Sequence, residues 1–362
     1  MSTGQPNLPP RARSNAAGQK KKASSKKKRS PIATLARWFL IVCILVILGG
    51  AAYVGSLYLK AEDTILSTGN NNPVPPEKSA SVKPLTMLIL GTDYRPEHQT
   101  YLTDVVMVAA MNPETNTATL VSLPRDTSLQ LKGYRSDRKL NSFYTTFRNL
   151  EKQGEAPAEE RMKDMLGQYF DIPIDYVTVL DFQGFRDVVD ALGGVDVNVQ
   201  YNMCHRDSQD GTHINLKAGP QSLDGKEALD YVRYRKSMNC EVKTKESNDF
   251  DRNARQSEVL HSLIDQMKSF GGAVKAYKVL DAVGGNMTTD LENDQMKNII
   301  KTYYDINKKD VRFVPITGQW RSPFVYINGD ELQAAKQALQ DELAGKHSKA
   351  SEEAAENSAS GS

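Results

Sequence analysis

Two aspartates near the first two predicted strands are the first candidates for chemistry. The first strand ends at Leu90 and is followed by the segment GTDYR, which contains Asp93, and Asp104 comes directly before the second strand. In open α/β sheets, ligands bind beyond the carboxyl ends of the strands. Two carboxylates at facing strand ends can share one Mg²⁺ ion, whose other ligands are water and phosphate. The spacing therefore permits a magnesium site, and the alternative is that each aspartate caps a turn.

An arginine follows the third predicted strand. The segment SLPRDT carries Arg125 and Asp126 directly after Pro124. Proline lacks an N–H and has a fixed φ, so it ends the strand pairing and can direct the Arg125 side chain across the sheet edge. There the guanidinium could bind a phosphate, and the alternative is a surface ion pair between Arg125 and Asp126.

Two more arginines lie close together in the segment DGKEALDYVRYRK. Arg233 and Arg235 are two residues apart, which places them on different faces of a helix but on one face of an extended segment. If both bind one anion, the helix must end near Asp230 or Tyr231. Two guanidiniums on one face suit a phosphate, because each presents a planar fork of donors and keeps its charge. The alternative is a solvated basic turn.

A third basic group begins the longest predicted helix, in NDFDRNARQSEVL. Arg252, Arg255 and Gln256 have the spacing i, i+3 and i+4, so they share one face near the helix start, where exposed backbone amides also favour an anion. Asp249 and Asp251 are expected to cap this helix rather than to bind metal. An apolar stripe is predicted on the opposite side, formed by Val259, Leu260, Leu263, Ile264 and Met267.

Two carboxylates and up to five arginines, each near the end of an element, together fit a site for a diphosphate held through a divalent metal. The sequence contains no GxxxxGK[ST], GxSxG or HExxH motif, so a P-loop nucleotide enzyme, a serine hydrolase and a zincin are not supported.

The elements that must position these side chains alternate between short apolar runs and longer helical patterns. Strands are predicted at Leu85 to Leu90, Val105 to Met111, Thr117 to Leu123, Tyr176 to Leu180, Val195 to Val199 and Val311 to Pro315. Helices are predicted at Ser142 to Gln153, Ala158 to Tyr169, Phe182 to Leu192, Gly225 to Asp230, Asp251 to Ser269, Gln295 to Ile306 and Gly329 to Ala344. This alternation predicts an α/β domain, with a mixed central β-sheet and helices on both faces in a three-layer α/β/α arrangement.

The N-terminal part predicts a membrane anchor. The 22 residues from Trp38 to Leu59 contain no charge, and residues 1–37 hold ten Lys or Arg and no acidic residue. About 20 apolar residues span a bilayer as a helix, and the basic side stays in the cytoplasm. A cleaved signal peptide is the main alternative, but its apolar region is shorter and closer to the N-terminus. The basic arm is expected to touch anionic lipid rather than nucleic acid.

The remaining organisation follows from composition. Residues 60–84 are predicted to be a disordered linker, residues 85–344 an extracellular domain, and residues 345–362 a disordered polar tail. Residues 38–362 carry 36 basic and 44 acidic side chains, a net charge of −8, so clustered arginines there need a local reason. Cys204 and Cys240 lie outside the cell, where a disulfide can form, and we expect them to pair rather than stay free thiols; Cys43 lies in the predicted span.

Seven segments in order resemble the LytR-CpsA-Psr family: LGTDYR, TDVVMVAAMNP, VSLPRDT, KLNSFY, GGVDVNV, LDGKEALDYVRYR and DFDRNARQ. They cover residues 85–270. Members of that family, found mostly in Gram-positive bacteria, attach anionic glycopolymers such as wall teichoic acid or capsular polysaccharide to peptidoglycan. They take the polymer from a polyprenyl-pyrophosphate carrier. The resemblance implies an enzyme of this kind, with a lipid-linked glycan, peptidoglycan and the membrane as partners and without nucleic acid.

The resemblance also implies roles for individual residues. The family's magnesium-binding aspartates correspond to Asp93 and Asp104, with Asp93 also the nearest candidate for a general base. Its pyrophosphate-binding arginines correspond to Arg125, Arg233 and Arg235, its glutamine to Gln256, and Lys139 in KLN belongs to the segment that approaches the phosphates.

One departure from the family pattern affects the phosphate contacts. The family commonly has R-S-D at the second aspartate, whereas this chain has Leu102, Thr103 and Asp104, so either Arg95 replaces the missing arginine or the substrate binds differently. Two other functions use the same residues. A pyrophosphate hydrolase would use water as the acceptor, and a non-catalytic envelope regulator would bind the lipid-linked sugar without turnover.

Overall fold

The computed structural model describes residues 59, 69–95, 100–208, 211–241, 243–244, 246–247, 249–268 and 272–347. The chain divides into two units, Met1–Ala52 and Tyr53–Ser362, and every described residue belongs to the second. Of the predicted membrane span, only Leu59 is among the described residues, and the span stays a prediction. Within the described ranges, no helix is both long enough and apolar enough to cross a membrane.

Twelve strands occur in the described part of the chain. They are β1 (Leu85–Arg95), β2 (Thr100–Asn112), β3 (Thr117–Leu123), β4 (Tyr176–Asp181), β5 (Val195–Val199), β6 (Met203–Arg206), β7 (His213–Leu216), β8 (Gly219–Leu223), β9 (Met287–Thr289), β10 (Val311–Pro315), β11 (Gly318–Arg321) and β12 (Phe324–Ile327). The helices there are α1 (Phe143–Glu151), α2 (Ala158–Phe170), α3 (Phe182–Leu192), α4 (Gly225–Arg233), α5 (Asp249–Lys268), α6 (Gly272–Val283), α7 (Asn293–Tyr303) and α8 (Gly329–Leu343).

Six strands form the central sheet, in the order β10-β3-β2-β1-β4-β9. The pairs β10–β3 and β1–β4 are parallel, and the other three pairs are antiparallel. The predicted mixed sheet is therefore confirmed. The carboxyl ends of β1, β3, β4 and β10 lie at one end of the sheet, together with the start of β2. This end of the sheet, called the sheet edge, carries the candidate residues.

One face of the sheet carries the main hydrophobic core. Alternate residues of β1 and β2, such as Leu88, Leu90, Val106 and Val108, are fully buried and stand opposite one another in register. Helices α1, α2 and α8 cover this face with their own buried side chains. Burying each large aliphatic side chain stabilises the fold by about 1.5–3 kcal/mol, so this face anchors the domain.

A smaller body follows β4 and carries two of the candidate arginines. Strands β5 and β8 pair, β6 and β7 pair, and α3, α4 and α5 pack around a second apolar core. Gly225 begins α4, and a Cβ placed there would lie 2.7 Å from the Cα of Arg186 in α3. Only glycine permits this close crossing of α3 and α4, which sets the position of the end of α4.

The predicted linker differs in the structure. Residues 69–84 pack along the domain: the Asn70 N–H donates to the Leu291 carbonyl, and the Ala80 N–H donates to Gln295 Oε1. Ala80 is fully buried. The prediction of disorder is therefore wrong for this part. Acceptors in α7 and just before it bind the backbone N–H groups of this segment, whose own composition gives no sign of order.

Candidate functional site

A β-bulge shapes the start of the site. Gly91 stands opposite Val105, but the next residue, Thr92, stands opposite Thr103, so Asp104 is the extra residue of β2. A Cβ on residue 91 would lie 2.9 Å from the Cβ of Val105, so this close approach of β1 to β2 needs glycine. Bulges re-aim side chains next to functional sites. Here the bulge brings Asp104 to the same sheet end as Asp93, which stands opposite Leu102.

Arg125 pairs with Asp104. The antiparallel register of β2 with β3 places Val106 opposite Leu123. Continuing this register two residues beyond Leu123 and two residues before Val106 brings Arg125 opposite Asp104. Arg125 Nη1 donates to Asp104 Oδ1 at 2.5 Å. The Arg125 Nε atom is buried and lacks a hydrogen-bond acceptor among the described residues, so this guanidinium keeps one donor unused.

Asp126 is the centre of the cationic group. Asp126 is a buried residue, only 8% exposed. Its carboxylate lies 3.0 Å from Lys139 Nζ, 3.7 Å from Arg235 Nη2 and 3.9 Å from Arg125 Nε. Lys139 reaches it because Ser128 and Lys139 form a β-bridge that lays the two segments side by side. One buried carboxylate therefore holds three cations from three separate segments at the same place.

Helix α4 ends later than the sequence suggests. Its last helical residue is Arg233, and Tyr234 has an extended conformation with ψ 131°, so the prediction of an end near Asp230 or Tyr231 is wrong. The change of backbone conformation after Arg233 gives the two arginines different contacts: Arg235 lies near Asp126, and Arg233 lies over Phe182.

Arg233 lies over an aromatic ring at the end of β4. Its guanidinium carbon is 4.5 Å from the ring centre of Phe182, the first residue of α3. Phe182 follows Asp181, whose backbone pairs with that of Thr92 next to Asp93. Such cation–π contacts hold a guanidinium while leaving its N–H donors available. Arg233 and Arg235 therefore come to the same sheet edge from the smaller body.

Arg255 is buried, in contrast to the predicted phosphate contact. Its Nη2 donates to the Tyr234 carbonyl at 2.7 Å, and its Nη1 donates to Ser247 Oγ at 2.9 Å and to the Tyr201 hydroxyl at 3.3 Å. Only 4% of the residue is exposed, and burial lowers the pKa of its guanidinium. Arg255 shares the helix face of Val259, which packs in the smaller core. Its contacts fix the backbone between Arg233 and Arg235.

The other predicted residues of α5 lie on a different face. Arg252 and Gln256 are half-buried, and Leu260 and Ile264 follow at intervals of four residues, so one side of α5 is polar at its start and apolar further on. The predicted apolar stripe is therefore divided: one part of it packs in the smaller core, and the other part faces the central sheet. Arg95 is the last residue of β1, and its side chain lies outside the described part.

An apolar cavity lies between this side of α5 and the sheet. Its volume is about 180 Å³, and most of its lining side chains are apolar. The sheet contributes Met111, Leu120, Val311 and Phe313, and the helices contribute Leu260 and Ile264 among others. Several of these side chains stay partly exposed, unlike those of the main core on the other face. At about 3.3 Å per residue, Met111 is roughly 23 Å along β2 from Asp104.

The two cysteines of the described part, Cys204 and Cys240, form a disulfide bond, as predicted. Cys204 in β6 and Cys240 have Cα atoms 6.1 Å apart. The backbone of Arg206 also donates to the Met238 carbonyl at 2.9 Å. These links hold the segment that follows Arg235 against the smaller body.

Asp93 and Asp104 are the residues at this end of the sheet that could hold a metal ion. Asp93 and Asp104 offer hard carboxylate oxygens at one strand end, and no group of three or more acidic, His or Cys side chains that could hold a metal occurs in the described ranges. Two carboxylates with remaining positions for water and phosphate are the usual protein share of Mg²⁺ coordination. The donor set fits an ion that arrives with a phosphate ligand.

Comparison with known proteins decides the family. The LytR_cpsA_psr family model matches residues 52–348. The chain belongs to this family. It is 31% identical over 317 residues to the polyisoprenyl-teichoic acid–peptidoglycan teichoic acid transferase TagU of Bacillus cereus (strain AH820), a match that covers 84% of this chain and 95% of TagU. The family resemblance of the sequence motifs is thereby confirmed.

Solved structures of LytR_cpsA_psr proteins are similar to this one. The crystal structure of Bacillus subtilis TagV matches with a TM-score of 0.57 and 28% identity, covering 72% of this chain and 97% of TagV. TagT bound to LI-WTA matches with a TM-score of 0.53 and 25% identity, covering 76% of this chain and 95% of TagT.

Three residues of this LytR_cpsA_psr site were not predicted from the sequence. Asp126 was considered only as a surface partner of Arg125, and its position directly after that arginine was the available signal. Phe182 follows a strand end, which is a weak signal. Trp320, whose ring centre lies 5.5 Å from Lys139 Nζ, gives no signal at all, because β11 brings it there from far along the chain.

Proposed function

We propose that the protein transfers an anionic glycopolymer, of the wall teichoic acid or capsular polysaccharide class, to peptidoglycan. The donor is the polymer on a polyprenyl-diphosphate carrier, and polyprenyl phosphate is released. The observation that carries this proposal is the convergence of Arg125, Lys139, Arg233 and Arg235 on one sheet edge beside two aspartates. The names of the relatives, teichoic acid transferases, support it.

The reaction is a phosphoryl transfer. A peptidoglycan sugar hydroxyl attacks the phosphorus that bears the glycan, and the bond from this phosphorus to the oxygen of the lipid phosphate breaks. The hydroxyl proton passes to a base, for which Asp93 is the candidate. Negative charge spreads over the phosphate oxygens in such reactions, so catalysis is mainly positioning and neutralisation. Arg125, Arg233 and Arg235 supply that neutralisation.

We also propose a magnesium cofactor. Asp93 and Asp104 would hold it, and its chemistry when bound is to neutralise the non-bridging oxygens of the diphosphate.

The apolar cavity supports a lipid donor. It lies against Leu260 and Ile264 of α5, on the side of the helix that also carries Gln256, and at the far end of the sheet. Gln256 and Ile264 are eight residues apart, about 12 Å along a helix, so the apolar region extends away from the phosphate-binding end. A polyprenyl chain placed there buries apolar surface that the sheet otherwise leaves partly exposed.

The proposed location follows from the sequence. The basic residues 1–37 would stay in the cytoplasm, Trp38 to Leu59 would span the membrane, and the domain would lie outside. Tethering places the site near a carrier that stays in the bilayer, so the protein meets its donor without a search in three dimensions.

One incubation tests the reaction. The full-length protein in detergent micelles receives a short-chain polyprenyl-diphosphate sugar, a peptidoglycan oligomer and Mg²⁺, and mass spectrometry identifies the products. We expect a phosphodiester-linked product and polyprenyl phosphate. Arg125→Ala should lose at least about a hundredfold in rate, since it removes a charged contact to the phosphates. Arg135→Ala is the matched control, because Arg135 is an exposed arginine that pairs with exposed Asp137.

The same products separate the other two functions. Free sugar phosphate formed in the presence of peptidoglycan oligomer indicates a pyrophosphate hydrolase. Donor binding that survives Asp93→Ala, with no product from the unaltered protein, indicates a non-catalytic regulator. Near-normal turnover of Arg125→Ala would contradict the assigned site.

A further inference from the structure

An exposed tryptophan borders the cationic group. Trp320 lies on β11 and is 56% exposed, the most exposed aromatic side chain in the described part of the chain. Its ring centre is 5.5 Å from Lys139 Nζ, and the same ammonium group lies 3.0 Å from Asp126. A single exposed aromatic ring is common on protein surfaces, so the informative feature of Trp320 is its place beside the phosphate-binding cations.

The backbone holds Trp320 at this position. Trp320 stands opposite Val325, which is buried, on the paired strand β12. The Ser128 N–H donates to the Val325 carbonyl at 2.9 Å, and the Val325 N–H donates to the Asp126 carbonyl at 2.9 Å. The hairpin is thus joined to the segment that carries Asp126, and the indole cannot move independently of the cationic group.

The hairpin that carries Trp320 packs against the face of the central sheet opposite to the apolar cavity. Lys139 is followed by Leu140, which packs in the main core, and Ile327 of the hairpin packs against the same core. The cavity lies on the other face, between the sheet and α5. A diphosphate joins two groups through its two ends. With the lipid on the α5 face and the phosphates at the sheet edge, the sugar attached to the other phosphate is directed towards Trp320.

The chemistry of the patch suits a sugar ring. A pyranose presents a face of C–H groups that packs on the flat, electron-rich face of an indole, while its hydroxyls stay in water. Lys139 beside the ring can donate hydrogen bonds to sugar or phosphate oxygens. An acyl chain would need a closed apolar slot, which an indole exposed on a hairpin does not provide.

We propose that Trp320 stacks on the sugar next to the diphosphate of the donor and so positions the glycan for transfer. This inference rests on the proposed function, since it names a subsite of the same site. Trp320 would touch the ring of this sugar and not the reacting phosphorus itself. It should therefore affect donor binding more than the rate of the chemical step.

Fluorescence tests the contact without turnover. The chain contains two tryptophans, so full-length Trp38→Phe protein in detergent micelles reports on Trp320 alone. Titration with a short-chain polyprenyl-diphosphate sugar should shift or quench the emission in a saturable way. The same polyprenyl diphosphate without sugar should leave it unchanged. Equal responses to both probes, or no response to either, would overturn the proposal.

Kinetics test the consequence. Losing on the order of 50 Å² of apolar contact should raise the donor KM of Trp320→Ala about tenfold. The kcat should change less than about twofold, because the contact is equal in ground and transition states. Trp320→Phe should recover part of the affinity. Tyr326→Ala is the control, since Tyr326 is an exposed aromatic residue on the opposite face of the same hairpin.

The two proposals can fail separately. A sugar-dependent fluorescence response without any transfer product supports the stacking and contradicts the transferase. Transfer with an unchanged donor KM in Trp320→Ala supports the transferase and contradicts the stacking. A raised KM for peptidoglycan alone would also overturn it, because it would place the acceptor on the indole.

Discussion

Replacing Arg255 by methionine distinguishes a structural arginine from a phosphate ligand. Helical spacing groups Arg255 with Arg252 as a substrate contact, but the structure buries it against the carbonyl of Tyr234 and the hydroxyls of Ser247 and Tyr201. Methionine keeps the apolar stem and removes the guanidinium. The change therefore tests the hydrogen bonds rather than the packing.

The expected loss of stability follows from these bonds. A hydrogen bond from a charged donor contributes about 1.5–3 kcal/mol, and an acceptor left buried without a partner costs about 1–3 kcal/mol. Removing a desolvated charge offsets part of this, because burial already disfavours the charged form of Arg255. We expect a net loss of about 3 kcal/mol, which lowers the unfolding temperature by about 6–12 °C in a domain of this size.

The assay combines thermal unfolding with kinetics on the full-length protein in detergent micelles. The transfer rate should also fall in Arg255→Met, since the Tyr234 backbone that Arg255 holds lies between Arg233 and Arg235. Arg252→Met is the control on the same helix, and it should change stability by less than about 0.5 kcal/mol. An Arg255→Met protein with unchanged unfolding temperature and a strongly raised donor KM would refute the reasoning, because that result describes a phosphate ligand.

Three further changes have defined outcomes. Gly91→Ala should destabilise the protein by about 1–3 kcal/mol in urea unfolding, because the new Cβ lies 2.9 Å from the Cβ of Val105. Adding Val105→Ala should recover part of this stability, and strictly additive losses of the two single variants would contradict the clash. Asp126→Asn should lower the free energy of unfolding by about 3 kcal/mol and reduce the transfer rate, since it leaves three cations together without their shared carboxylate. An unchanged unfolding temperature would argue against Asp126 holding these cations. Burial raises the pKa of Tyr169 from 10 to about 12, so the folded state binds this proton more tightly than the unfolded state. The free energy of unfolding should therefore fall as pH rises from 10 to 12. In Tyr169→Phe this free energy should depend less steeply on pH, and an identical slope would count against Tyr169.

The sequence predicts the elements of the sheet well where one physical signal dominates. The bounds of β3, β5, β10 and α3 agree with the prediction, because alternating or continuous apolar runs end at glycine, proline or a capping aspartate. Strands β1 and β2 continue beyond their apolar runs, through mostly polar residues that are held in the sheet by backbone pairing between the two strands. Short strands such as β6, β7 and β9 and the hairpin β11–β12 were not predicted, since their side chains are mostly polar or half-exposed.

The site residues were predicted where a family motif or a strand end marks them. Nothing local, however, distinguishes a guanidinium that faces the sheet edge from one that faces a core. Arg255 and Gln256 are neighbours in sequence and lie on different faces of α5. Asp126 acquires its role from cations in three segments, and Trp320 from a hairpin nearly 200 residues away. Such roles depend on long-range packing, which periodicity does not record.

In the proposed function, the pair between Asp104 and Arg125 would link metal binding to phosphate binding. The proposed reaction would use both groups, one for the metal and one for the diphosphate, and the structure pairs Arg125 Nη1 with Asp104 Oδ1 at 2.5 Å. In the proposed function, a divalent cation held by Asp104 would compete with the Arg125 guanidinium, whose N–H donors would then be available to phosphate. A half-buried ion pair of this kind contributes about 1–2 kcal/mol, so its loss should change metal affinity about tenfold.

Arg125→Ala should therefore bind Mg²⁺ more tightly than the unaltered protein in the absence of donor, although it transfers at least about a hundredfold more slowly. Isothermal titration calorimetry of the full-length protein measures the affinity. Arg125→Lys is the control, since it keeps a competing cation, and Asp104→Asn should weaken Mg²⁺ binding by removing a ligand. Equal Mg²⁺ affinity in Arg125→Ala and the unaltered protein would mean that the arginine does not compete for Asp104. The ion pair would then only brace the bulge, and metal and phosphate would bind independently.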